Sequence, residues 1–276
     1  MIEKARCELL QCGVHQAAAE GVLCVGKSTL VCVGVVLVGC GRAVSAMCAG
    51  AAARGSSSIE FTNCRVMNAS GHGVSVEGDA SAQLSGCRIV RSVLCGINVS
   101  SAQRVSLLSS AISACSSHGV HCNGGGVYDI TDCVINACTG AGVFASYGAR
   151  PCIQRNRIGN NTLAAVYCAN GACSEVIGND ISECLDSGIV FARACMGSIV
   201  GNRLHSIGGS GVVIGMVCAP LVQDNVVEEA GGAGIACEAG SQAVLRGNRI
   251  VRCKTGILLQ VSSICELHVL CVPVVA

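Results

Sequence analysis

The sequence predicts an all-β chain, a single-stranded right-handed parallel β-helix of about 11–12 coils with three short strands per coil. Three observations predict it. A Gly-(Val/Ile) pair returns every 23 residues, at Gly73-Val74, Gly96-Ile97, Gly119-Val120, Gly142-Val143, Gly188-Ile189, Gly211-Val212 and Gly234-Ile235. Ala165-Val166 keeps the step with one substitution, and Gly256-Ile257 closes it one residue short. Two apolar columns keep the same step, one through Phe61, Leu84, Leu107 and Ile130, the other through Val66, Ile89, Ile112 and Ile135. Between them runs a column of small polar side chains, Asn156, Asn179, Asn202, Asn225 and Asn248, continued toward the N-terminus by Cys133, Ser110, Cys87 and Cys64.

Each element of the coil follows in order. The first column supplies one strand, the second a strand five residues later, and the Gly-(Val/Ile) pair a third, with Val76, Val99, Cys122 and Ala145 inward two residues on. Strands so short cannot pair within a coil, so each pairs in parallel with its counterpart one coil on, about 4.8 Å away. Parallel crossovers are right-handed in about 98% of cases, which sets the expected hand. Stacked Asn side chains hydrogen-bond to one another and cap bent backbone, so their column staples one corner. Earlier in the chain, Leu9, Cys12, Val14 and Gly21-Val22 read as one coil and Val31, Gly34, Val36 and Ala43-Val44 as the next.

The expected organisation is one domain over 1–276. Irregular coils span 9–60, regular coils 61–260, and a partial coil 261–276. The step from Ala43 to Gly73 places an inserted loop near 49–58, rich in Ala, Gly and Ser. Solenoids cover their end coils, and neither end carries an obvious cap, so self-association or a capping partner is expected there.

Composition narrows the function. With 13% charged residues and a net charge of +1, a generally basic nucleic-acid surface is not expected. Trp is absent and Phe and Tyr number three each, which leaves few rings for stacking bases. The 23 cysteines include no Cys-x-x-Cys pair and fall largely in inward columns, so they read as small apolar filler in a reducing cytoplasm, with no metal site and no cofactor expected. No signal peptide is read at Met1-Ile2-Glu3-Lys4, and the apolar run Thr29–Gly41 is too short for a membrane span.

Gly21 to Ser28 satisfies the phosphate-loop pattern, yet a strand rather than the required helix is predicted after it. Glycosidases need paired carboxyls, and the only same-column acids lie on alternate coils, Asp129 with Glu175 and Glu183 with Glu229. The segment Ser70-Gly-His72-Gly73 resembles the Gly-His-Gly signature of polygalacturonases, but Gly50-Ala51-Ala52 stands where that family has its aspartates. Asp129, Glu175, Glu183, Glu229 and His72 are thus the catalytic candidates of the secondary reading.

Two outward stripes carry more. The residue after each Gly-(Val/Ile) reads His121, Phe144, Tyr167, Val190, Val213, Ala236 and Leu258, an apolar face that either docks a partner or is covered by another segment. The residue after the ladder reads Arg157, Asp180, Arg203, Val226 and Arg249, a charge ladder suited to an acidic partner segment or simply to solvent.

Pro151 to Ile158, Gly201-Asn202-Arg203-Leu204 and Gly247-Asn248-Arg249-Ile250 resemble the repeats of the pectin-lyase-like superfamily. Within it they are similar to the non-catalytic β-helix domains of SHC SH2-domain binding protein and of a β-helical F-box protein. That resemblance implies a non-catalytic cytoplasmic scaffold that binds a protein partner through the stripe from His121 to Leu258 and is associated with the cytoskeleton. The alternative is a polysaccharide-active lyase, hydrolase or epimerase of the same fold.

Overall fold

The computed structural model describes residues 5–47 and 57–268. Among them are three parallel sheets and no helix. The first sheet has 12 strands, from Arg6–Leu10 to Glu266–His268. The second has 11, from Gly13–His15 to Arg249–Val251, and the third has 11, from Glu20–Val25 to Thr255–Leu259. Every strand pairs with its counterpart one coil away, as Leu84 with Leu107, Ile89 with Ile112 and Ile97 with Val120 show. The chain is therefore a parallel β-helix.

Alternation within each strand sends one set of side chains inward. Leu107, Ile130, Ile153 and Val176 fill the core from the first sheet, Ile112, Ile135 and Ile158 from the second, and Val120, Cys122, Val143 and Ala145 from the third. The cysteines among the described residues are free thiols, most of them buried. Burial pushes the Cys133 thiol up to about 11 and that of Cys168 up to about 12, so both stay protonated and pack as small apolar groups.

The corner between the first two sheets is made by a single left-handed residue per coil. Asp132 (φ 54), Arg155 (φ 53), Gly178 (φ 60) and Gly201 (φ 64) each turn the chain so that the next residue points into the core. That next residue is the ladder. The Oδ1 of Asn179 accepts from the backbone N–H of Asn156 at 2.9 Å and from its Nδ2 at 3.0 Å. Asn156 Nδ2 also donates to Ile130 O at 2.8 Å, and the pattern repeats through Asn202, Asn225 and Asn248. Where Asn gives way to Ser110, its hydroxyl accepts the Cys87 N–H at 3.0 Å and does half the same job.

The repeated glycine answers a close approach. A Cβ on Gly119 would lie 2.6 Å from the Gly142 carbonyl oxygen, and one on Gly188 2.6 Å from that of Gly211, contacts with backbone that cannot swing away. Ala165 is the exception, and its coil yields slightly: its N–H reaches Ser187 O at 3.3 Å, against 3.0 Å for Gly188 to Ser210.

The N-terminal coils depart from the expected register. Leu9 pairs with Cys32 and Val14 with Leu37, so Cys32 and Leu37 are the core residues while Val31 and Val36 are half-buried. The step there is still 23; one residue is dropped later, between Val38 and Arg42, so that Val22 meets Val44 as expected. A one-residue slip moves a strand's whole inward set to the other face. Thr29 pairs with Ser58, which puts the extra residues of this coil after Met47. Of the predicted loop, residues 49–56 lie outside the described residues, and Ser58 already belongs to the strand Ser58–Thr62. The phosphate-loop pattern dissolves as well, because Gly21 to Val25 lie within one strand and Thr29–Val33 is the next.

Candidate functional site

The third sheet carries one continuous outward column: Ser75, Asn98, His121, Phe144, Tyr167, Val190 and Val213, each in register with the next. Parallel stacking holds their side chains at rung spacing, which aligns rings as plates. Phe144 and Tyr167 lie 5.5 Å apart with their planes at 19°. His118, at the turn before the same strand as His121, stacks on Phe144 at 4.6 Å and 15°, and His121 meets Phe144 at 5.3 Å and 55°. The two imidazoles are 5.9 Å apart.

Their hydrogen bonds fix opposite tautomers. The Ala141 N–H donates to His118 Nδ1 at 2.9 Å, which leaves the proton of neutral His118 on Nε2. His121 Nδ1 lies 3.1 Å from Asn98 Oδ1, an oxygen that can only accept, so Nδ1 carries the proton and Nε2 keeps a lone pair. Neither Nε2 has a partner among the described residues. Burial lowers both pKa values, and His121 beside it adds to the effect on His118, which falls to about 4. Near neutral pH the pair is one donor and one acceptor.

Beyond the rings the face is concave. Two adjoining hollows of about 380 and about 220 Å³ share Tyr167 and Arg193, and the second reaches Glu238. Arg193 and Ala194 are both left-handed (φ 59 each), where the coils before them use Tyr147-Gly148 and Asn170-Gly171. Two consecutive non-glycine residues in that region are costly, and such strain gathers at functional positions.

The stripe is less exposed than its sequence pattern implies. Val190 is 8% exposed and Ala236 9%, whereas Leu258 is 44% exposed two coils beyond Val213. Residues stacked at rung spacing cover one another, and Val190 has the larger Tyr167 on one side and Val213 on the other. The second stripe differs too. Asp180 does not bridge Arg157 and Arg203; it lies 3.5 Å from His205, while Arg203 and Arg249 converge on Glu228 at 3.5 and 3.0 Å. Long side chains can reach the diagonal neighbour two residues on, and here they do. The Arg249 hydrogen bond, helped by Arg203, holds the Glu228 carboxyl below its usual range.

The acidic candidates are dispersed. Asp129 and Glu175 sit on the first sheet with Cys152 between them, and Asp129 is bound to Arg104 at 3.2 Å. Glu183 accepts from Asn160 at 2.9 Å, and Glu229 holds Arg252 at 2.9 Å. That Arg252 begins an Arg-x-Lys tripeptide ending at Lys254, far along the axis from His72. His72 Nδ1 accepts the Cys95 N–H at 3.2 Å, the same turn-capping bond that His118 makes two coils on.

Residues 21–149 and 118–269 match the family described as the right handed beta helix region. The chain belongs to that family. No curated protein matches it in sequence. Among solved structures, this β-helix is similar to the mannuronan C-5 epimerase AlgE6 A-module of Azotobacter vinelandii, at 14% identity and a TM-score of 0.69, covering 92% of this chain and 81% of that one. It is similar to the periplasmic alginate epimerase AlgG at 12% identity and 0.69, covering 95% and 73%. An alginate lyase from Paenibacillus sp. str. FPU-7 matches at 14% identity and 0.53, covering 93% and 99%. At such identities the likeness establishes the fold, a coil of the pectin-lyase-like kind, and the finer likeness to F-box and SHC-binding domains has no counterpart among these structures. The expectation of a non-catalytic scaffold is corrected: the named neighbours are polysaccharide enzymes, and the supposed docking stripe opens on two imidazoles of opposite tautomer.

His118, Asn98, Ser75 and Arg193 escaped the sequence reading. The signal for His118 was its place flanking Gly119-Val120 opposite His121; for Asn98 and Ser75 it was the same column followed two coils further back.

Proposed function

We propose that this β-helix acts on an acidic polysaccharide by abstracting the C5 proton of a uronate unit. The observation that supports this best is the pair of neutral imidazoles with opposite tautomers at the head of the Phe144–Tyr167 plates. Phe144 and Tyr167 turn their faces to each other and to His118, so a polymer running along the axis would pass over their apolar ring edges and present one unit to the histidines. His121 Nε2 takes the C5 proton as general base. The His118 Nε2–H donates a hydrogen bond to the charge that develops on the carboxylate, as a neutral imidazole with a lowered pKa can.

The proton then passes from the His121 imidazolium to the glycosidic O4. The C4–O4 bond breaks and C4=C5 forms, a β-elimination that needs a single base. Return of a proton to the opposite face of C5 would be epimerisation and needs a second donor. Arg193 lies three coils from His121, about 14 Å along the axis, and would hold the carboxylate of a more distant unit. Hydrolysis is disfavoured because it needs two facing carboxyls, and Asp129 and Glu175 are separated by a coil, with Asp129 paired to Arg104. The structural neighbours, alginate epimerases and an alginate lyase, support a uronate polymer as the substrate.

The test is incubation with mannuronan, guluronan and a neutral glucan. New unsaturated ends or an altered epimer ratio in the uronate polymers alone is the expected result. Equal inertness toward all three, with binding to none, would end the proposal.

A further inference from the structure

A chain of hydrogen bonds leads away from His121 down the third sheet. Ser75 Oγ donates to Glu77 Oε1 at 2.8 Å, Asn98 Nδ2 donates to Ser75 Oγ at 3.4 Å, and His121 Nδ1 donates to Asn98 Oδ1 at 3.1 Å. Ser75, Asn98 and His121 occupy one column on three successive coils, with Glu77 two residues after Ser75 on the same strand. Ser75 is fully buried.

We infer that Glu77 sets the tautomer of His121. The logic is one of donors and acceptors. An ionised carboxylate can only accept, so it takes the single hydrogen of Ser75. The Ser75 oxygen then offers a lone pair to Asn98, which must turn its NH2 toward it and its carbonyl oxygen toward His121. Facing an acceptor, His121 must place its proton on Nδ1, and Nε2 is left basic. A charge two coils away thus decides which imidazole nitrogen can serve as the base. Glu77 is a positioning residue, and its importance for turnover rests on the proposed function above; its effect on the tautomer does not.

Substitution separates the two. In Glu77→Lys the ammonium can only donate to Ser75, the Ser75 hydrogen is turned to Asn98, and the Asn98 amide must reverse. Its NH2 then faces Nδ1 and the His121 proton moves to Nε2. Adding Asn98→Asp to that variant restores an acceptor-only group beside His121 and returns the proton to Nδ1, whatever residue 77 does.

The measurement is the ¹⁵N spectrum of histidine-labelled protein, without substrate, at a pH well above the histidine titrations. Wild type should show His121 protonated at Nδ1, Glu77→Lys at Nε2, and the double variant at Nδ1 again. An Nε2 proton in wild type, or no change in Glu77→Lys, would overturn the inference. If the tautomers move as stated while no uronate polymer is turned over, the relay stands and the proposed function falls.

Discussion

His121→Ala should lower turnover of a uronate polymer by about 10²–10⁴-fold, the usual contribution of a positioned general base. The fold should survive, because His121 is half-buried on the outer face of the third sheet and its backbone bonds lie in the ladder. His118 is a poorer probe, since its Nδ1 also caps the Ala141 N–H. The pH profile supplies a second reading. Burial lowers the His121 pKa, so the base remains neutral, and turnover persists, below the ordinary imidazole value of about 6.5. Stability follows the opposite logic. The folded-state pKa of His118, about 4, lies below its unfolded value, so as pH falls from about 6.5 the unfolded chain takes up the proton first. The contribution present at neutral pH is therefore lost over that window, and denaturant midpoints measured across it should fall.

Asn202→Ala should be the costliest single change to the fold, about 3–4 kcal/mol, read as a loss in denaturant midpoint at unchanged m-value. Asn202 Oδ1 accepts from the Asn179 N–H and Nδ2, each at 2.9 Å, and its Nδ2 donates to Asn225 Oδ1 at 2.9 Å and Val176 O at 2.8 Å. Truncation orphans the buried Asn179 N–H and removes the donor to Val176 O, both at a buried corner. The estimate takes about 1–3 kcal/mol per orphaned buried group and two such groups. Asn225 Oδ1 keeps the Asn202 N–H at 2.9 Å and Asn179 Nδ2 keeps Ile153 O at 2.8 Å, so the loss stays local to one corner. A cost below about 1 kcal/mol would mean that the ladder contributes little beyond its backbone bonds.

The coil was legible in the sequence because each of its constraints recurs every 23 residues. Inward columns, the glycine forced by a carbonyl one coil away, and the Asn stack all repeat, and repetition separates them from chance. The N-terminal register was not. Val31 and Cys32 are both apolar enough to face inward, and only the pairing of Leu9 with Cys32 decides between them. The left-handed corner was hidden as well, since Asp132 and Arg155 occupy it alongside Gly178 and Gly201. The stripe from His121 to Tyr167 was found but read by hydropathy alone. Its chemistry lies in which hydrogen each imidazole carries, and that depends on Asn98 and on the Ala141 N–H, groups a coil away in space and 23 residues away in sequence. Arg193 gave no periodic signal, because its column neighbours, Tyr147 and Asn170, share a backbone conformation rather than a side-chain type.

The most direct measurement is proton NMR of a uronate polymer incubated with the protein in D2O, beside a His121→Ala control. Abstraction at C5 predicts loss of the H5 signal, through unsaturated ends or through exchange with solvent deuterium, in wild type only. An H5 signal that stays intact while the polymer is bound, or while it is cut to saturated ends, would contradict the account.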